Sequence, residues 1–437
     1  MLRRTVVRAW RIEPAWLLSL GLAATAFSGS WWRIGVPVAL DRLLLFAGFA
    51  LTIARAGGTP DLPPLRWRGT HLLLLAVVAY GVASAFWVGT LDDHTARFAL
   101  IDRLGVVPFL AFAVAPTAFA TPRQREILIR VLVVLGAYLG FTAVAEGVHA
   151  NALVWPRYIL DQSIGIHLGR SRGPFLEAVT NGLALIVCGA AAGVALSHWR
   201  DRAARLACWV VIGLCAAGVT LTYTRQIWIG AALGVLAALA IFPALRWRLI
   251  PIAALATAAV VLAITLIPGF GADLSTRAND SKPVWSRRTT DAAALRMIGE
   301  RPVWGWGWAT FKEHSSDEFR TIVDIPYRGA DQEPHNVVLS RMVDLGIVGG
   351  GLWLVATLLA LGRPLLRPWP DDREIWRRGY VVVLVGVLLA SMLSPLSAPF
   401  GTLALWLWAG ILWPAAPEPR AARTPAAVRA SAAHAPA

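Results

Sequence analysis

The stretch LACWVVIGLCAAGVTLTYTRQIWIGAALGVLAALAIFP, residues 206–243, decides the fold. It holds two apolar runs, 206–222 and 227–243, each close to the roughly 20 residues that carry a helix across a bilayer. A very short turn joins them, and its one charge is Arg225. With no long loop to snorkel along, the Arg225 guanidinium is expected at the level of the lipid headgroups. Outward from this hairpin the pattern recurs at 14–30, 35–54, 71–89, 98–119, 127–146, 175–197, 249–267, 336–361, 379–396 and 399–413. These runs predict an all-α polytopic membrane protein with about 12 transmembrane helices. Ser394-Pro395 and Pro399 leave the last two runs open to reading as a hairpin or a re-entrant turn.

Composition agrees. Of 437 residues 57% are hydrophobic and 15% charged, against about half and about a quarter in soluble domains. That excludes soluble, collagen-like and disordered classes. The net charge of +15 would point to nucleic acid in a soluble protein. Here the arginines instead alternate along the chain, and the expected contacts are membrane lipids, with no nucleic acid. With the N-terminus inside, the inside turns carry Arg3, Arg4, Arg8 and Arg11; Arg55, Arg66 and Arg68; Arg123 and Arg125; Arg200, Arg202 and Arg205; Arg246 and Arg248; and five more from Arg363 to Arg378. The short outside turns are poorer; the 268–335 segment, with nine basic residues, breaks the trend, but long loops translocate regardless of charge, so both termini are expected in the cytoplasm. Ala24-Thr25-Ala26 also has the small-residue form of a leader cleavage site, whose use would remove the first span without inverting the others.

The expected organisation is helices one to nine over 1–267, a large outer loop with short helices over 268–335, helices ten to twelve over 336–413, and a disordered cytoplasmic tail over 414–437. Trp31, Trp32, Trp87 and Trp155 fall at outer ends and Trp67, Trp199, Trp247 and Trp369 at inner ends, as in an interfacial belt. Gly136/Gly140, Gly189/Gly193, Gly230/Gly234 and Gly346/Gly350 have the spacing that lets helices approach closely. Cys208 and Cys215 are about 10 Å apart along one helix, too far to bridge. All three cysteines read as packing residues.

Ionisable side chains within spans are costly and mark function by default. Asp41-Arg42, Asp102-Arg103 and Glu146 lie toward outer ends, so they either line a polar cavity open to the outer leaflet or fasten helices to one another. Arg225 offers a bidentate fork for phosphate, or else an anchor to lipid headgroups. In the large loop, Thr289–Met297 favours a helix preceded by Arg287 and Arg288, and Pro302 closes it. Trp304-Gly305-Trp306-Gly307-Trp308 follows, either presenting rings to sugar or lipid or plugging the loop onto the bundle. Glu333-Pro334-His335-Asn336 starts the next helix, placing His335 at the outer surface, where an imidazole serves as a general base near neutral pH or stays structural. Asp331, Glu333 and His335 could hold a metal, but no second histidine stands at ligand spacing. Asp92-Asp93-His94 reads as solvated loop.

Several of these stretches resemble the O-antigen ligase/polymerase superfamily, bacterial membrane glycosyltransferases of the GT-C type. Arg172-Gly173-Pro174-Phe175 with Asn181 is similar to the family's approach to its sixth span. Thr224-Arg225-Gln226-Ile227-Trp228 resembles its Ser/Thr-Arg-x-x-Trp turn, and Arg301-Pro302-Val303-Trp304-Gly305-Trp306-Gly307 with Phe311 its loop motif. Pro334-His335-Asn336 through Leu339, then Leu345-Gly346 and Gly349, resembles its His-Asn-x-x-Leu signature. Trp306 and Trp308 depart from the smaller residues commoner there.

The resemblance implies an inverting, metal-independent enzyme without cofactor. It would move a glycan from undecaprenyl diphosphate to an acceptor hydroxyl on the periplasmic side of the bacterial inner membrane. Ligation of O-antigen to lipid A core is the expected reaction in lipopolysaccharide biosynthesis. Polymerisation of O-antigen or exopolysaccharide, and from another class a polysaccharide flippase or transporter, are the alternatives. On this reading His335 is catalytic, and Arg225, Arg172, Arg287, Arg288, Arg42 and Arg103 bind the donor diphosphate. Glu333, Asn336, Trp228, Trp304 and Trp306 support them.

Overall fold

The apolar runs fold as helices whose limits follow ordinary end signals. The computed structural model describes residues 12–58, 61–242, 247, 251, 254, 282–319, 333–366, 371–394 and 399–413. The helices are α1 Pro14–Ala24, α2 Leu40–Arg55, α3 Gly69–Trp87, α4 His94–Phe98, α5 Val106–Ala118, α6 Pro122–Gly147, α7 Ala178–His198, α8 Arg202–Leu221 and α9 Arg225–Ile241. They continue as α10 Lys282–Glu300, α11 Phe311–Phe319, α12 Val337–Gly362, α13 Asp371–Leu393 and α14 Phe400–Ile411. Thr121 and Gln124 form a capping box on α6, with Pro122 in its first turn. Asp93 caps α4 and Asp201 caps α8, each satisfying amides that have no partner within the helix. Between α4 and α5 the chain keeps winding as a π turn over Ala99–Leu104.

Among the described residues seven helices are long and apolar enough to cross a membrane: α3, the α4–α5 unit, α6, α7, α8, α12 and α13. Three shorter apolar helices, Pro14–Phe27, Arg225–Ile241 and Phe400–Ile411, join them. This is a multi-pass helical membrane protein. The expected span 249–267, the N-terminal arginines, Arg246, Arg248, Asp331, Trp369 and the 414–437 tail lie outside the described residues. The twelfth expected run is revised: α14 has 12 residues, about 18 Å of helix, and its residues from Leu403 to Ile411 are buried. It sits inside the bundle against α5 and α7. Trp31 is also revised, since it is buried with its indole donating to Asp41 at 2.8 Å.

Small residues set the close approaches. A Cβ on Gly140 would stand 2.7 Å from Leu214 Cβ of α8, and one on Gly234 2.9 Å from the Val382 carbonyl of α13. Gly136/Gly140 and Gly230/Gly234 thus pack helices as their spacing predicts. Cys188, Cys208 and Cys215 are free and buried.

The basic turns gather at one end of the bundle. There buried Arg125 pairs with Asp372 at 2.5 Å, Trp199 donates to Glu126 at 2.6 Å, and Arg55 donates to the Ile12 carbonyl at 2.9 Å. The α8–α9 turn, the end of α3 and the start of α12 meet at the other end, which α10 and α11 cover. A small separate core of Ala293, Ala294, Met297, Phe311 and Val343 fixes that cover to α12.

Candidate functional site

Helix α9 begins where α8 ends, and the joint is stapled by Trp228. Its indole N–H donates to the Val219 and Thr220 carbonyls at 2.9 and 3.2 Å, two of the acceptors that a helix end leaves open. Arg225 is therefore the first residue of a rigid helix, half-buried, with Gln226 buried beside it. Helix α10 folds back over this point. Arg287 Nη2 donates to Gln226 Oε1 at 3.0 Å, and the adjacent Arg225 charge acts on the same guanidinium. Burial first, then Arg225, lowers the Arg287 pKa, with Asp291 opposing.

One turn further along α10, the Thr290 hydroxyl donates to the Arg287 carbonyl at 3.0 Å and lies 3.4 Å from His335 Nδ1. A hydroxyl has one hydrogen. With that hydrogen on the carbonyl, the oxygen is placed to accept from an Nδ1–H tautomer, the one that would leave Nε2 as the ring's acceptor. Asn336, next in the chain, caps α12 through Val338 N and Leu339 N at 2.9 and 3.3 Å, so the His335 backbone is anchored to a helix start. Burial, and after it the Arg287 charge, pushes the imidazole pKa down to about 4. Arg225, Arg287 and His335, three residues singled out by sequence, are thus brought together by α9, α10 and the start of α12. Arg288, the neighbouring candidate, is exposed.

The tryptophan loop plugs the bundle. Helix α12 breaks at Gly346, whose φ of 65° and ψ of −173° are not helical. In an unbroken helix the Val343 and Asp344 carbonyls would accept from Ile347 N and Val348 N. Instead they accept from Trp306 N and Gly307 N at 2.8 and 3.0 Å, while Ile347 N and Val348 N donate to the Pro302 and Val303 carbonyls at 2.8 and 3.3 Å. Two carbonyls and two amides freed by the break are paired again. Gly305 and Gly346 make this possible, because a Cβ on either would come within 2.6 Å of backbone across the joint. Trp308 is buried, its indole donating to the Ala96 carbonyl at 3.0 Å. The Trp306 indole donates to the Met297 carbonyl at 2.8 Å, and its ring lies under Arg301. Only Trp304 of the three is widely exposed.

Three expected phosphate ligands are placed elsewhere. Arg172 is buried and donates to the carbonyls of Ile159, Asp161 and Ile164 at 2.6 to 3.0 Å; it clamps the 157–177 loop. Arg42 forks onto Asp102, and Arg103, the next residue of the π turn, pairs with Glu333. Their guanidiniums are matched by carboxylates. Buried Arg341 extends this network, donating to the Arg103 carbonyl at 3.1 Å and to Asp344 at 3.4 Å. No three His, Cys, Asp or Glu side chains among the described residues are grouped to hold a metal ion.

Sequence reasoning assigned no role to Gln226, Thr290, Arg341 or Asp344. Thr290 had one weak signal, lying a helical turn from Arg287, and Gln226 had its place beside Arg225.

The converging residues lie within one continuous stretch of sequence. Residues 210–354 match the family described as O-Antigen ligase. About a third of the chain, 210–354, is thus similar to the O-antigen ligase superfamily. The match indicates glycosyltransferase-like activity at the level of the superfamily, whose members act on glycan and lipid-linked substrates in the membrane. The matched stretch includes Arg225, Arg287, Thr290, His335 and the Gly346 joint, and excludes Arg42, Arg103 and Arg172. No curated protein matches the chain.

Proposed function

We propose that this protein is an inverting O-antigen ligase that moves a glycan from undecaprenyl diphosphate to a hydroxyl of lipid A core on the periplasmic side of the inner membrane. One observation carries the proposal: Arg225, Arg287 and His335 converge at one end of the bundle, inside the stretch that matches the family.

The chemistry follows from the two kinds of group. Displacement at the anomeric carbon breaks its bond to the diphosphate oxygen, and the electron pair leaves on that oxygen. Two guanidiniums held by folded helices stabilise this charge without reorganising during the reaction. The acceptor hydroxyl oxygen forms the new bond from the opposite face, which inverts the centre, and its proton passes to His335 Nε2. Thr290 holds the tautomer that leaves this nitrogen open. Fixing both substrates on one rigid end supplies much of the acceleration.

An imidazole pushed down to about 4 is neutral but weakly basic. Donor binding corrects this, since a diphosphate on Arg287 offsets the cationic field at His335 and raises its proton affinity as the reaction needs it. Folding of α10 over the α8–α9 turn favours an enzyme over a transporter, because it gives the large loop a part in the site.

The test is deletion of the gene and complementation with His335→Ala, read on surface-glycan gels. Free lipid A core with accumulated long lipid-linked polymer is the expected outcome. Single repeat units on the core would identify a polymerase, and unchanged glycan would end the proposal.

A further inference from the structure

A cavity of about 430 Å³ lies beside the His335 segment. Glu333 and Pro334 line it, and His335 is the next residue, about 3.8 Å of chain away. Neither arginine of the phosphate clamp lines it.

The walls divide by chemistry. Near Glu333 they present Asp102, Arg103, Lys312, Arg341 and Asp344. Arg103 is paired with Glu333, Arg341 with Asp344, and Asp102 with Arg42. Cations matched by carboxylates have little attraction left for a diphosphate, while alternating donors and acceptors suit hydroxyls, which both donate and accept. Arg341 Nε adds a buried N–H with no partner, and Trp308 adds an aromatic wall. Farther in, Trp353, Leu358, Leu361, Leu388 and Trp406 make the lining apolar. Helix α12 lines it in two stretches, Val337 to Asp344 and Trp353 to Leu361, on either side of the Gly346 break, so the cavity runs from the polar end into the apolar bundle. Such a shape fits a hydrocarbon chain below a sugar.

We infer that this cavity seats the acceptor as a glycolipid, its sugar among Arg103, Glu333, Arg341 and Asp344 and its hydrocarbon part along α12. The inference rests on the transfer reaction above. It brings the acceptor hydroxyl to His335 from a cavity separate from the donor-phosphate residues, and in-line displacement then has that hydroxyl meet the anomeric carbon on the face opposite the diphosphate.

The experiment uses the full chain in lipid nanodiscs, with lipid A core as acceptor and undecaprenyl-diphosphate-linked glycan as donor. Leu388→Trp and Ser391→Trp fill the apolar part from two positions, and Glu333→Gln alters the sugar end. The acceptor KM should rise at least about tenfold in all three, with the donor KM unchanged and thermal unfolding as in the wild type for at least one filling variant. A rise in donor KM instead would make this the seat of the polyprenyl donor and overturn the inference. So would unchanged constants for both substrates, the result expected if an ordinary bilayer lipid fills the groove. Direct binding of lipid A core separates the two readings: binding that the variants weaken in a protein that transfers no glycan would keep the cavity assignment and remove the reaction.

Discussion

A single hydroxyl decides which nitrogen of His335 faces the reaction. Thr290→Val removes the acceptor for Nδ1–H while keeping the shape. We expect kcat to fall about tenfold, the worth of one hydrogen bond, with both KM values unchanged and Thr290→Ser restoring the rate. Loss of KM alone would show that Thr290 merely packs. At Arg225 the issue is geometry rather than charge. Arg225→Lys keeps the cation and loses the fork, and kcat/KM should drop about a hundredfold or more; unaltered turnover would leave Arg225 as a lipid anchor. The pH profile follows from the depressed imidazole. Activity requires neutral His335, so kcat/KM should hold down to about pH 4 and fall below it. The limb in kcat should lie at higher pH, because the bound diphosphate lifts the pKa. Folding stability has the same sign: the folded pKa lies below the ordinary 6.5, so this contribution is complete above that value and declines as pH drops toward 4.

Among elements, the broken α12 shows where sequence is legible and where it is not. Hydropathy gave the limits of α12 within a residue or two, because an apolar run in lipid has few alternatives to helix. Its glycines were another matter. Gly346 and Gly350 share the spacing of Gly230 and Gly234, yet Gly346 makes a joint where the others make a seam. Spacing counts small residues but does not record which backbone comes to meet them. Arg172 misled for a related reason: its partners are main-chain carbonyls, which every residue has. The Arg42–Asp102 and Arg103–Glu333 pairs join positions 60 and 230 apart in sequence, so charge order alone could not separate fasteners from ligands. Arg225 and His335 stood out because each is an isolated charge or imidazole at the edge of an apolar run. Gly346→Ala tests the joint. A side chain at φ 65°, with its Cβ 2.2 Å from the Val303 carbonyl, should cost at least about 2 kcal/mol. It would be seen as a lower unfolding temperature in detergent together with lost transfer. An unchanged melting curve would mean that the helix can close without the loop.

For the whole molecule the prediction concerns which end faces which compartment. The proposed reaction puts the α10–α11 cover in the periplasm and the Arg-rich turns in the cytoplasm. The three native cysteines are buried, so single cysteines report cleanly. In intact cells with a permeable outer membrane, Glu313→Cys should react with a membrane-impermeant maleimide, and Arg202→Cys should react only after lysis. The reverse pattern would put His335 on the side where no periplasmic acceptor exists.

The splice at Gly346 ties residues 302–307 to 343–348 through peptide groups alone, so the tryptophan loop is fastened to α12 by main chain. Drift in the side chains of Val303 or Trp304 leaves those ties untouched. A pull on the tryptophan loop instead reaches the hinge about three turns beyond His335, which makes that loop and the proton acceptor a single mechanical part.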